Sequence, residues 1–176
     1  MCLLLFAANA FAATSVYWLR GNDISGLIEG GTYNFLSTTQ PSASSKETLM
    51  QKTVQTGTGE IARWYTPGFF QDLLLSGKAY FWASGLELRS GKAQYRVSLY
   101  DFDDQEDNST LIASTDWLDI RNPPQEAQIE IATPHTIKAQ NRLKLAIEYN
   151  ALMQSTIWLP LDQPLAFQQV TWNTSL

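Results

Sequence analysis

From Lys92 to Tyr100 the chain alternates: Tyr95, Val97 and Leu99 fall on one side, Gln94, Arg96 and Ser98 on the other. A period of two marks a strand with one face buried and one face wet. The pattern returns over Gln125–Ala132, where Ala127, Ile129 and Ile131 oppose Gln128 and Glu130. It returns again over Asn141–Tyr149, where Leu143, Leu145, Ile147 and Tyr149 oppose Arg142, Lys144 and Glu148. Shorter runs read the same way: Ser15–Arg20, Thr32–Leu36, Ile61–Tyr65, Lys78–Ser84, Thr110–Thr115, Asp116–Arg121, Ser155–Leu159 and Phe167–Trp172. Turn-forming clusters such as Thr66-Pro67-Gly68, Ser76-Gly77, Ser90-Gly91 and Asn122-Pro123-Pro124 separate them. No stretch sustains a convincing amphipathic helix. About ten strands at spacings of roughly eight to fifteen residues predict an all-β fold, a two-sheet antiparallel β-sandwich. The count suits a jelly roll better than an immunoglobulin-type domain.

Two stretches break the alternation. Residues 37–60 are rich in Ser, Thr, Gln and Lys, and their only sizeable apolar residues are Leu49, Met50 and Val54. This stretch cannot supply much core and reads as a long surface loop. The second break is acidic: Asp101, Asp103, Asp104, Glu106 and Asp107 follow one another with no base among them. Such a cluster belongs on a surface tip. Hard cations take several carboxylate oxygens, so Asp101, Asp103 and Asp107 are candidate calcium ligands. The calcium-loop pattern then fails, with Glu106 where the loop needs Gly and Ile112 where the bidentate Glu belongs. A solvated hairpin turn is the simpler reading.

The N-terminus changes the picture again. Residues 1–12 read MCLLLFAANAFA, an apolar run followed by a small-x-small site, as in a signal peptide cleaved after Ala12. No basic residue precedes the run, and a buried strand or helix is the competing reading. The remainder, 13–176, is the length of one domain. The apolar run is too short to span a bilayer, and no later segment could do so.

Composition excludes more than it assigns. A net charge of −5 with no Lys or Arg run argues against nucleic acid. One cysteine and one histidine leave no intramolecular disulfide, no Cys/His structural zinc site and no HExxH metalloprotease site. His135 is the one candidate base for a hydrolytic triad, and TPHTIK reads as a loop without a motif around it. No GxSxG, GxGxxG or Walker loop occurs. The acidic residues are numerous enough for a glycosidase pair, but most crowd at one turn.

The six tryptophans carry the remaining signal. Within KAYFWAS, Tyr80 and Trp82 share one strand face and Phe81 takes the other. If Phe81 packs inward, Tyr80 and Trp82 form an outward aromatic strip that Trp158 and Trp172 would extend. Such strips stack on the C–H faces of sugars. The plainer alternative is that the rings bury on both faces or cover the sandwich ends.

Trp64–Pro67, the Ser76-Gly77 turn, Tyr80–Ala83, Gly91–Asp101 and the closing strands Leu143–Tyr149 and Ile157–Leu159 together resemble a loose group of exported bacterial jelly-roll modules. The likeness runs over roughly residues 61–172. It implies a β-sandwich in secreted or cell-surface proteins and transfers no catalytic residue. The expectation is therefore a non-catalytic exported module that is structural or serves assembly of a cell surface or extracellular fibre. Its partners would be other protein subunits, including copies of itself, joined through Ser15–Arg20 or through sheet edges. The alternative is a carbohydrate-binding module that uses Tyr80, Trp82 and Trp158.

Overall fold

The computed structural model describes residues 13–20, 27–28, 31–32, 34–39, 50–82, 86–124, 126–159 and 164–172. The expected signal peptide, residues 1–12, lies outside them. Every regular element among the described residues is a strand: β1 (Ala13–Arg20), β2 (Leu27–Ile28), β3 (Gly31–Thr32), β4 (Asn34–Ser37), β5 (Met50–Val54), β6 (Gly57–Tyr65), β7 (Leu73–Trp82), β8 (Glu87–Ser90), β9 (Ala93–Asp103), β10 (Asn108–Ser114), β11 (Leu118–Asp119), β12 (Glu126–Ile137), β13 (Arg142–Ala151), β14 (Ser155–Leu159) and β15 (Pro164–Trp172). Among these residues no helix is long and apolar enough to cross a membrane.

The fold is all-β, built from several sheets. Ten strands form one sheet in the order β10-β9-β13-β6-β4-β1-β15-β7-β12, with β11 also on β9. A three-stranded sheet, β5-β14-β8, and the β2-β3 pair complete it. All pairings are antiparallel except β4 with β6, where Asn34 and Phe35 register with Trp64 and Tyr65. The long sheet curls on itself: β10 and β12, the two ends of its path, lie in contact.

The curl encloses one continuous core. Leu19, Leu36, Trp64, Phe81, Val97, Leu99, Ile129, Leu145, Ile147 and Phe167 are all buried in it. The alternation read from the sequence is what fills it. In β12, Ala127, Ile129 and Ile131 are buried while Glu126, Gln128 and Glu130 are exposed. Burying each Leu, Ile, Val or Phe contributes roughly 1.5–3 kcal/mol before the cost of chain entropy.

Four local expectations are corrected. Ser76-Gly77 does not end a strand; it lies inside β7. Gly77 takes a positive φ of 75° there, and the β12 register shifts between Ile131 and His135 opposite it. This is a bulge, an irregularity a glycine tolerates without a Cβ penalty. His135 accordingly sits in β12 and not in a loop. The polar stretch 37–60 contains β5 and the start of β6, joined at Gly57 with φ 115°. Its residues Gln51, Lys52 and Thr53 are exposed while Val54 is buried, so an edge strand can be made of mostly polar residues. Asp116–Arg121 forms only the two-residue β11, because the Asp119 carboxylate accepts the Arg121 amide and turns the chain ahead of Asn122-Pro123.

Candidate functional site

Phe81 is fully buried, so its neighbours Tyr80 and Trp82 point away from the core, half-buried. Pairing places other residues beside them. Val16 of β1 registers with Ala166 of β15, Ala166 with Tyr80, and Tyr80 with Gln128 of β12. That is one row of same-face positions across four strands. In the next row Ser37 registers with Trp18 and Trp18 with Pro164, while Trp82 registers with Glu126. Leu165 registers with Phe81, so Trp82 falls in the row of Pro164 and Trp18. Tyr17 and Leu19 are buried, which turns Val16 and Trp18 outward; Val16 is 37% exposed and Trp18 half-buried.

The result is a low aromatic platform of Trp82, Tyr80 and Trp18, with Val16 beside it. Exposed Glu126, Gln128 and Glu130 rim one edge, and Lys78 faces Glu130 across the strand pair. Aromatic faces carry negative quadrupole density that attracts polarised C–H bonds, and the rim offers hydrogen-bond acceptors and an amide.

The structure brings together only part of the expected strip. Trp158 lies on β14 in the three-stranded sheet, with the Arg89 guanidinium 3.9 Å from its ring centre. Trp172 ends β15 in register with Leu73, at the far end of β7 from Trp82. Trp18, on the other hand, was not grouped with them by the sequence. Its signal was present, because Val16 and Trp18 alternate with Tyr17 and Leu19, but the neighbours of β1 were not.

The other face of β9 and β13, turned from the core, carries a polar cluster in which Ser98 and Lys144 are buried and Arg96, Tyr100 and Glu148 half-buried. Glu148 receives the Arg96 guanidinium and the Ser98 hydroxyl (2.8 Å) on one oxygen, and the Tyr100 hydroxyl (3.0 Å) on the other. Burial opposes its ionisation, yet these donors outweigh burial and hold the carboxyl below its ordinary range. Arg96 also lies over Trp117, 4.7 Å from the ring centre, and the Lys144 ammonium lies 5.3 Å from the Tyr100 ring.

The candidate calcium ligands take separate tasks. Asp101 faces inward at the seam of the curled sheet, where one oxygen meets His135 Nε2 at 2.9 Å and the other accepts from Asn141 Nδ2 at 2.8 Å. Asp103 accepts from the backbone amides of Gln105 and Glu106 and so caps the turn. Asp107 is exposed and has a positive φ of 51° in that turn. No group of three or more His, Cys, Asp or Glu placed to hold a metal occurs among the described residues. An apolar cleft of about 550 Å³, lined by Tyr17, Leu36, Pro67, Phe69 and Phe70 among others, opens at the end of β6.

No protein-family model matches the chain, and no curated protein matches it. Solved structures are similar in fold. A CocE/NonD family hydrolase from Staphylococcus aureus is 11% identical with a TM-score of 0.55, the match covering 89% of this chain and 36% of the hydrolase. An alpha-amino acid ester hydrolase is 9% identical with a TM-score of 0.55, covering 90% and 36%. An aminopeptidase from a marine sediment Thaumarchaeota archaeon is 9% identical with a TM-score of 0.55, covering 88% and 36%. The chain thus spans about a third of the length of these proteins.

Proposed function

We propose that the chain is an exported, non-catalytic carbohydrate-binding module, folded as a sandwich of jelly-roll type. The two layers are the halves of the curled sheet, one around β9, β13 and β6 and the other around β15, β7 and β12. The binding face is the platform of Tyr80, Trp82 and Trp18. One observation carries the reading: Phe81 is buried, and Tyr80 and Trp82 therefore share an outward face with Trp18, two strands away in the row of Trp82. The test is a titration of tryptophan fluorescence with a broad panel of soluble oligosaccharides. A saturable response that Trp82→Ala removes is expected. A panel without response overturns the reading.

The second reading is the structural and assembly module. It draws on the comparisons, in which the matching structures are nearly three times as long as the matched region. In this reading the platform is a contact face for another subunit or domain. Exchange of the first strand has less support, because β1 already pairs with β15 and β4 of its own sheet. Light scattering across a range of protein concentrations tests it, with growth into large particles expected.

A further inference from the structure

The aromatic positions are not scattered over the outward face; they stand in two rows that run across the strands. Trp82 and Trp18 occupy one row, with Pro164 of β15 between them. Two inter-strand spacings separate β7 from β1, roughly 10 Å from one indole-bearing position to the other. Tyr80 stands in the adjacent row, with Gln128 beyond it. The rings are half-buried rather than projecting, which keeps the row shallow. A shallow row of rings suits a ligand that is itself flat, extended and longer than a single sugar. Chains of β-1,4-linked equatorial pyranoses have this shape: alternate residues present the same apolar face, one disaccharide apart. The charge around the row narrows the class further. Glu126 stands exposed at its edge beside Trp82, Glu130 is offset by Lys78 opposite it, and the chain carries a net charge of −5. Polyanionic glycans meet repulsion there.

We infer that the platform takes an uncharged, extended β-1,4-linked polysaccharide lying across the strands, from Trp82 over β15 to Trp18, and that Trp18 is the residue that reads chain length. The inference rests on the carbohydrate reading above and goes beyond it in assigning the direction, the charge class and Trp18.

The experiment uses the full chain and cello-oligosaccharides of two to six units, with β-1,4-linked polyglucuronate as the anionic comparison of the same linkage and calorimetry as the readout. Affinity is expected to rise with length and then to level off. Trp18→Ala should remove at least about tenfold of the affinity for the hexamer and little for the dimer. Trp18→Phe, which keeps a ring, should restore most of the length dependence, and thermal unfolding of both variants checks that they fold. The β-1,4-linked polyglucuronate should bind at least about tenfold more weakly than the hexamer. Binding without length dependence, or length dependence untouched in Trp18→Ala, overturns the role of Trp18 while the carbohydrate reading stands. Preference for the β-1,4-linked polyglucuronate overturns the charge class. No binding of any glycan removes the carbohydrate reading itself.

Discussion

The two outward surfaces of the curled sheet start from the same local pattern and end differently. On the face of β9 and β13 turned from the core, Arg96, Tyr100, Lys144 and Glu148 come into register in pairs, with Ser98 and Lys144 buried among them. Arg96 opposes Glu148 directly, and Tyr100 opposes Lys144. Each charge therefore finds a partner, and the nearby rings are engaged by cations: Trp117 by Arg96, Tyr100 by Lys144. On β7 the outward residues Tyr80 and Trp82 meet Gln128 and Glu126 instead. An amide and a carboxylate do not stack on rings as guanidinium does. The difference shows that an outward aromatic becomes a platform or a stacking partner according to what the adjacent strand places opposite it.

The largest effect that can test this contrast comes from the residue beneath the platform. Phe81→Ala should cost about 3–5 kcal/mol of folding stability in urea denaturation, because it empties a fully buried site between β12 and β15. Next comes the polar surface. Glu148→Ala leaves Arg96, Ser98 and Tyr100 without their shared acceptor and should cost about 2 kcal/mol. Glycan-induced fluorescence should survive this change; its loss would mean that the two surfaces are one site.

The same carboxylate predicts a pH dependence. Its folded pKa is depressed, so its contribution is complete above the ordinary glutamate value near 4.5 and is lost as pH falls through the folded pKa. Asp72, held low by the Ala139 amide and Lys138, acts in the same direction. Thermal melts from pH 6 down to about pH 3 should therefore fall less steeply for Glu148→Gln than for the parent, and equal slopes would contradict the network. The smallest stability change belongs to the platform. Trp82→Ala should cost only about 1 kcal/mol, since the ring is half-buried, yet it should abolish the glycan response. A large loss of stability with binding retained would reverse the comparison.

Much of this was legible along the chain. The inward sets Tyr95, Val97, Leu99 and Ala127, Ile129, Ile131 are the buried ones, and Phe81 faces inward with Tyr80 and Trp82 outward. The expected surface loop at 37–60 was misread in part, because an edge strand needs few apolar residues and β5 buries only Val54 among residues 51–54. His135 was misread because the bulge near Gly77 lets β12 continue past Pro134. Its contact with Asp101 joins β12, one end of the sheet, to β9, the strand next to the other end, a proximity no local pattern encodes.

The sequence by itself determined which side of each strand faces the core, since the period of two is a property of the extended backbone and of the residues along it. Only the tertiary structure decided which strands are neighbours. Pairing of β1 with β15 and of β15 with β7 sets Trp18 in the row of Trp82. Placement of β14 in another sheet takes Trp158 away to Arg89. The physical reason is that strand pairing is a long-range choice, made by the fit of whole faces around one core, and the same alternating strand can accept many neighbours.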